Sequence, residues 1–401
     1  MSSPSSPLLG KFSFEYQEEV LATSVLSDKK LQIGVPKEDF NKEKRIPLTP
    51  NTVNFLVENG VKVLVEKDAG IASQFSNMEY SEAGAEIVEE AKEVYKADVI
   101  LKIAPPNNHE IQLLRKNQVL ISSLNLKTLD KKFFQILSEK KITAIALENI
   151  TDENNENPFV ELMSEIIGKV AVNIVSNFLM EKKGKLIGGI PGSAPINMIV
   201  IGAGAVARST LRAALSQGAN VQVYDNSISR LKNLQNKFHQ NIYTSILHIP
   251  QLLNDISRAD VVIGAISNYN EYNNFIIPKE IVKRLKKNSL IIDLSIDQGV
   301  CFETSQLTDF RDPSFEKYGV THFGIPNISS MAPRSASYVL GDIFLNQFSN
   351  FQNYGNINHF LKNDENFRNG LYFYSGVLVN KQIGELFDLP TKDINLILTA
   401  F

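Results

Sequence analysis

From Leu31 onward, short apolar runs alternate with stretches whose apolar positions recur every three or four residues. The runs LQIGV, VKVLVE, ADVILKI, QVLISSL and ITAIALE have the length and β-branched content of buried strands. Between them, helical spacing predicts helices from Thr52, over Tyr80 to Val88, near Glu110 and over Lys131 to Glu139. A second series starts at Asn197, where NMIVIG, NVQVYD, IYTSIL, ADVVIGAI, SLIIDLS and VTHFGI are separated by helices through Leu211, Leu234, Leu252 and Val282. Such alternation predicts mostly parallel sheets with helices on both faces, because parallel strands need a crossover and the usual crossover is a helix. The expected fold is α/β, with two Rossmann-like, doubly wound domains.

Met163 to Lys183 places Ile166, Val170, Ile174 and Phe178 on one helical stripe, which predicts a long helix crossing from the first series to the second. Gly184 to Ile196, rich in glycine and proline, reads as a linker. A further helical pattern near Ser335 to Phe348 leads back. A chain that leaves by one long helix and returns by another predicts a discontinuous substrate domain, residues 31–165 and 332–401. A cofactor domain, residues 166–331 with the linking helix, would be inserted into it. Residues 1–30 read as an N-terminal extension that opens on serine and proline, with one helix expected around Glu15 to Leu26.

Composition narrows the chemistry. The 401 residues are 43% hydrophobic and 21% charged, ordinary for a folded chain of two or three domains. A formal charge of −3 offers no basic excess for a phosphate backbone, so nucleic acid is not an expected partner. The single cysteine, Cys301, cannot form an internal disulfide, and the start lacks the basic-then-apolar order of a secretory leader. No run approaches the roughly 18 apolar residues of a membrane span. A cytoplasmic, non-membrane protein is expected. Five histidines leave little for a multi-histidine metal site, and no metal is expected.

The strand NMIVI runs into Gly202-Ala-Gly204-Ala-Val-Ala207 and then a helix. In the dinucleotide-binding turn the first glycine permits the bend, the second admits the pyrophosphate, and the small third residue lets the helix pack closely. Asp225 ends the next strand about 20 residues on, where the ribose-binding acid belongs. An aspartate that accepts both ribose hydroxyls repels a 2′-phosphate, which favours NAD over NADP, while Arg230 leaves an adenosine phosphate or adenine stacking open. Gly264 and Ala265 end a later strand, where the nicotinamide half should pass. Without a cofactor the same residues would be a tight connection and a helix cap.

Beyond this turn, IGVPKE (33–38), KRIPLTP (44–50), VEKDAG (65–70), YSEAGAEI (80–87), ADVILKIAPP (97–106), MSEIIG (163–168), IDLSIDQGVCFETS (292–305) and NISSMAPRSAS (327–337) follow in order. Over residues 31–350 the chain resembles the alanine dehydrogenase and nicotinamide nucleotide transhydrogenase α-subunit family. Asp297-Gln298-Gly299 with the following Cys301-Phe-Glu-Thr-Ser is more similar to the alanine dehydrogenase branch, and residues 369–390 resemble the end of a longer bacterial subgroup. The resemblance implies NAD-dependent interconversion of L-alanine with pyruvate and ammonia, in a cleft between two domains of a homo-oligomer, hexamer or dimer.

Oxidising an amino acid at Cα needs a cation for the carboxylate, a base for the amino proton and a water to hydrolyse the imine. Arg45, within the KRIPLTP segment, fits a bidentate carboxylate clamp, the alternative being a surface arginine beside Glu43 and Lys44. Lys102 ends an apolar strand, from which it would bind the substrate carbonyl, titrate near neutrality or snorkel to the surface. Asp297, just past SLIIDLS, resembles the family's catalytic aspartate and is also good turn chemistry. Ser164 opens the long helix as its cap or as a contact to cofactor phosphates. Asn327 is assigned to the cofactor.

Where alanine dehydrogenases commonly carry a histidine, this chain has Ser123-Leu124-Asn125-Leu126. Asparagine can hydrogen-bond a carbonyl but shuttles no proton, which leaves proton transfer to Lys102, Asp297 or water. His322 reads as structural, and Cys301 as a small buried residue. SNYNEYNNF (267–275) stands where relatives have a proline and glycine-bearing loop. Two other readings stand beside the first: another amino-acid or opine-type dehydrogenase, and a protein that keeps NAD affinity without turnover.

Overall fold

The structure is a computed structural model that describes residues 31–238, 242–266, 276–297, 299–348 and 357–399. The helix expected around Glu15 to Leu26 and the loop 267–275 lie outside the described residues. Strands β1 (Gln32–Val35), β2 (Lys62–Glu66), β3 (Glu86–Val88), β4 (Val99–Leu101), β5 (Val119–Ser122) and β6 (Thr143–Ala146) are parallel, in the spatial order β6-β5-β4-β1-β2-β3. Every residue of β4, β5 and β6 is buried, as expected of central parallel strands covered on both faces. One covering helix, Lys131–Glu139, is capped by Asp130 and packs Phe133, Phe134, Ile136 and Leu137 inward.

The second sheet contains β7 (Asn197–Ile201), β8 (Asn220–Asp225), β9 (Tyr243–Ile246), β10 (Val261–Gly264), β11 (Ser289–Asp293), β12 (Ser314–Lys317) and β13 (Val320–Phe323). Its order is β12-β13-β11-β10-β7-β8-β9, with β12 alone antiparallel to its neighbour. The chain then returns to the first sheet. An antiparallel hairpin, β14 (Leu371–Tyr374) and β15 (Val377–Leu378), adds to β6 and completes eight strands.

Two helices carry the chain between the sheets, Pro158–Lys183 and Pro333–Phe348. They meet in a cluster of Ile103, Met163, Ala336 and Leu340. The long helix also lies close against the helix Ala205–Ser216. A Cβ on Gly168 would stand 2.5 Å from the Thr210 nitrogen.

Three expectations are corrected. The segment from Tyr80 to Val88 is not one helix: Asn77–Glu82 is helical, Gly84 at φ +88 ends it, and Glu86–Val88 becomes β3 along β2. The long helix begins at Pro158 rather than Met163, because the Asn157 side chain accepts the Val160 N–H at 2.9 Å and proline fits the first turn. Ser164 therefore lies in the second turn and does not cap this helix. Strands β12, β14 and β15 were not anticipated. Among the described residues no helix is long and apolar enough to cross a membrane.

Candidate active site

In both sheets the strand order reverses, between β1 and β4 in the first and between β7 and β10 in the second. Doubly wound sheets bind ligands beyond the carboxyl ends of the strands at such a switch point. At that edge of the first sheet, Glu38 follows β1, Lys102 follows β4, Asn125 follows β5 and Glu148 follows β6. A shallow cavity of about 470 Å³ lined by Asp98, Arg115 and Gln118 opens at the opposite, amino-terminal edge and contains none of the candidate residues.

Lys102 is 1% exposed, and its Nζ lies 2.9 Å from Glu110 Oε1 and 3.1 Å from Glu38 Oε2. Burial alone would lower its pKa, but the two carboxylates outweigh it and hold the ammonium above its usual value. Lys102 is a fixed cation, which corrects the expectation that it titrates near neutrality. Glu38 also accepts the Ile103 N–H at 2.6 Å, tying β4 to the segment after β1, and burial leaves its carboxyl raised.

Arg45 is not a surface residue. Its segment is pinned by Ser73 Oγ donating to the Lys44 carbonyl at 2.8 Å and by the Ile46 N–H donating to Ser337 Oγ at 2.9 Å. The guanidinium makes a two-pronged pair with Glu43, Nε to Oε1 at 2.8 Å and Nη2 to Oε2 at 2.6 Å. Nη1 donates to Ser329 Oγ at 3.0 Å and to Met163 Sδ at 3.3 Å. Burial raises the Glu43 pKa, but Arg45 and the hydrogen bonds from Arg45 and Ser330 overcome this and hold it below the usual carboxylate range.

Asn327, left-handed at φ 57, joins this cluster. Its amide donates to the Glu43 carboxylate and to Ser330 Oγ, and its oxygen accepts from Ser329 Oγ at 3.1 Å. Half-buried Asn125 opens the short turn Leu126–Thr128, and its carbonyl accepts the Thr128 N–H at 3.0 Å. Ser164 is buried on the long helix, next in sequence to the Met163 that touches Arg45.

At the switch point of the second sheet, Gly202 is held at φ +117, and a Cβ there would stand 2.4 Å from the Ala265 carbonyl oxygen. A Cβ on Gly204 would meet nothing within 4 Å, so the space in front of that residue is open to a ligand. The helix Ala205–Ser216 starts there with no side chain capping it, and Ala207 is buried against the sheet. Its first N–H groups are donors for an anion. Asp225 is 2% exposed and braces the turn: Oδ2 accepts the Ala203 N–H and Oδ1 the Ser227 N–H, both at 2.8 Å, with Arg230 Nε 3.6 Å away. An open glycine, a bare helix start and a buried acid at the next strand end suit a dinucleotide. Gly264 has a packing reason as well, since a Cβ there would stand 2.7 Å from Cys301 Cβ.

Asp297 lies in the turn after β11, half-buried. The loop that carries it is closed by Asp293, the last residue of β11, which accepts the N–H groups of Ser295 at 3.1 Å and Cys301 at 3.0 Å. Burial pushes Asp293 up to about 6 and the Cys301 thiol well above its usual value. His322 is bound through both ring nitrogens, to Thr304 Oγ1 at 2.8 Å and the Val320 carbonyl at 3.0 Å, and stacks on Phe315. It is committed to the strand.

The structure thus groups Arg45 with Asn327 around Glu43, and Gly202 with Asp225, Gly264 and Ala265 around the second switch point. Sequence reasoning missed Glu38, Glu43, Glu110, Glu148 and Asp293. Glu148 ends the apolar run TAIALE as Lys102 ends ADVILK, and the same signal would have found it.

Comparison with known proteins agrees with the fold. Residues 34–167 match the family model "Alanine dehydrogenase/PNT, N-terminal domain" and residues 170–381 match "Alanine dehydrogenase/PNT, C-terminal domain". The chain is 32% identical over 369 residues to an alanine dehydrogenase of Staphylococcus saprophyticus, covering 90% of this chain and 98% of that protein. It is 32% identical over 368 residues to alanine dehydrogenase 2 of Staphylococcus aureus, covering 91% and 98%. A solved L-alanine dehydrogenase superposes with a TM-score of 0.79 at 30% identity, over 89% of this chain and 99% of that one. A transhydrogenase from Sinorhizobium meliloti shares the fold, with a TM-score of 0.72 at 19% identity over 87% and 99%. The chain belongs to the alanine dehydrogenase/PNT family.

Proposed function

We propose that this NAD-dependent amino-acid dehydrogenase catalyses the reversible oxidative deamination of L-alanine to pyruvate and ammonia. The observation that carries the reading is the pair of buried cations, Arg45 and Lys102, at the carboxyl edge of the first sheet, in a chain whose second sheet presents a dinucleotide turn. Residues 31–165 and 332–401 form the substrate domain and residues 166–331 the cofactor domain. Bound NAD would supply the hydride acceptor for oxidation at the substrate Cα.

The remaining chemistry belongs to the chain. Arg45 clamps the substrate carboxylate, which must share or displace Glu43. Lys102, permanently charged, draws electrons from the substrate's carbonyl carbon in the reductive direction. Asn125 orients that carbonyl, and Asp297 positions the attacking water. Gly202, Gly204, Ala207 and Asp225 would hold the pyrophosphate and ribose, with Arg230, Ser164, Gly264, Ala265 and Asn327 available to the rest of NAD. Closure of the cleft between the domains excludes water during the transfer. The protein acts in the cytoplasm as a homo-oligomer, hexamer or dimer.

One observation favours a second reading. Asn125 cannot carry a proton, so a related amino acid or an opine-type substrate comes next, followed by NAD binding without turnover. Alanine-dependent NAD reduction, profiled against serine, glycine and the matching keto acids, decides. The reading requires turnover of alanine above the others, lost in Arg45→Ala and Lys102→Ala and lowered in Asn125→Ala. Tight NAD binding without turnover of any of them sinks it.

A further inference from the structure

Glu148 is a buried acid to which the roles above give no part. It stands two residues beyond β6, at the same sheet edge as Lys102 and Asn125. Its Oε1 accepts the Leu124 N–H at 2.6 Å, so it holds the residue beside Asn125. Its backbone carbonyl accepts the side-chain amide of Asn157, the cap of the long helix. Oε2 is sealed from solvent and has no hydrogen-bond partner among the described residues. The Tyr372 hydroxyl, on β14 of the C-terminal hairpin, is also buried and makes no hydrogen bond of good geometry, although Ser122 of β5 stands close enough to oppose the rise in its pKa. Tyr372 senses Glu148: burial first, and then the Glu148 charge, push its phenol up.

Two buried polar atoms without partners on neighbouring elements carry a desolvation cost with no return in the resting structure. Through Leu124, Glu148 lies beside the position where the chain carries an asparagine that cannot titrate. We propose that Glu148 is the titrating positioning residue of the Leu124–Asn125 corner, with Tyr372 of the C-terminal hairpin as its partner. The proposal rests on the dehydrogenase reading above. Ionised, Glu148 accepts the Leu124 N–H strongly and can take a hydrogen bond from the phenol. Protonated, it grips Leu124 more weakly and becomes a donor to the phenol oxygen. The proton moves between the carboxyl oxygen and water, and no substrate bond changes.

Burial pushes Glu148 up to about 7, against the opposing backbone hydrogen bonds, so the change of state falls near neutrality. From β14 the ionisable group facing it is Tyr372. From the β5 side it meets the Leu124 amide, and from the long helix the neutral Asn157.

The test is kcat/KM for alanine in the full-length enzyme from about pH 5.5 to about 9. Wild type should show a step of roughly fivefold centred near neutrality. Glu148→Gln, which keeps an acceptor for Leu124, should abolish the step, and Glu148→Asp should restore it at a reduced rate. Tyr372→Phe should move the midpoint upward, because the carboxylate loses a donor. In parallel, infrared titration should show a protonated carboxyl band that disappears near neutrality and is missing from Glu148→Gln. That band needs no turnover, so it judges Glu148 even where no alanine is oxidised and the dehydrogenase reading has failed. Should Glu148→Gln fail to fold, the Tyr372→Phe midpoint and the wild-type band decide. A step that persists in Glu148→Gln, or a wild-type band with no transition between those pH limits, overturns the proposal.

Discussion

Gly202 and Gly204 stand two residues apart and ask for glycine for different reasons. Gly202 sits at φ +117 with the Ala265 carbonyl oxygen 2.4 Å from where a Cβ would be, so Gly202→Ala strains the backbone and clashes with main chain. A loss of about 2 to 4 kcal/mol in unfolding free energy is expected. Gly204 has an ordinary φ of −77 and open space at its Cβ position. Gly204→Ala should leave stability within about 1 kcal/mol of wild type, yet weaken NAD at least about tenfold, because in the proposed binding mode the methyl would occupy the space of the pyrophosphate. Urea unfolding beside a fluorescence titration of reduced cofactor separates the two. Glu148 gives a second prediction at this scale. Its pKa is raised from 4.5 to about 7, so its contribution to stability is complete at pH values below about 4.5 and is lost as pH rises through about 7. Glu148→Gln should therefore gain on wild type between about pH 5 and about pH 8, by up to about 3 kcal/mol. Equal pH dependence in the two proteins would refute this.

Elements differ in how openly the chain announces them. The fully buried strands and the helices over Lys131–Glu139 and Ala205–Ser216 were readable because long apolar runs and helical stripes are local signals. Strands β3, β12 and β15 were not, since each has four residues or fewer and lies toward a sheet margin, where pairing rather than pattern makes it a strand. Their turns were visible in hindsight. Tyr318-Gly319 and Ser375-Gly376 take positive φ at both positions, the geometry of a tight hairpin. The paired acids around Lys102 and Arg45 depend on tertiary contact: Glu38 lies 64 positions before Lys102, and no spacing rule links them. The Pro158–Lys183 helix yields the prediction that belongs here. A Cβ on Gly168 would stand 2.5 Å from the Thr210 nitrogen and 2.6 Å from Ser209 Oγ. Gly168→Ala would gain up to about 1 kcal/mol of helix propensity but must push two helices apart, and a net loss of about 1 to 3 kcal/mol is expected by urea unfolding. A stabilised variant would mean that the helices yield freely.

Across the whole molecule, the segment after β13 reaches over to the first sheet, and Glu43 is where it takes hold. Its carboxylate receives Arg45 from its own segment, and Ser330 Oγ at 2.6 Å and the Asn327 amide from the other side. A buried charge with this many donors depends on staying ionised. The Glu43 pKa is depressed in the folded chain, so the stability it supplies is present above the unfolded value of about 4.5 and is lost as pH falls through the lower folded value. Acid should therefore weaken the contact between the two sheets before it unfolds either of them. Hydrogen exchange between about pH 3.5 and about pH 6 should show the amides of residues 327–331 and 43–46 losing protection first, as an opening smaller than global unfolding. Glu43→Gln, with Arg45 left as a buried cation short of its counter-charge, should already be open at neutral pH and show no further change across that window. It should also lose alanine turnover, because the carboxylate clamp and the Asn327 contact move together. Simultaneous loss of protection over the whole chain in acid would show that Glu43 secures the fold as a unit and gives the cleft no separate motion.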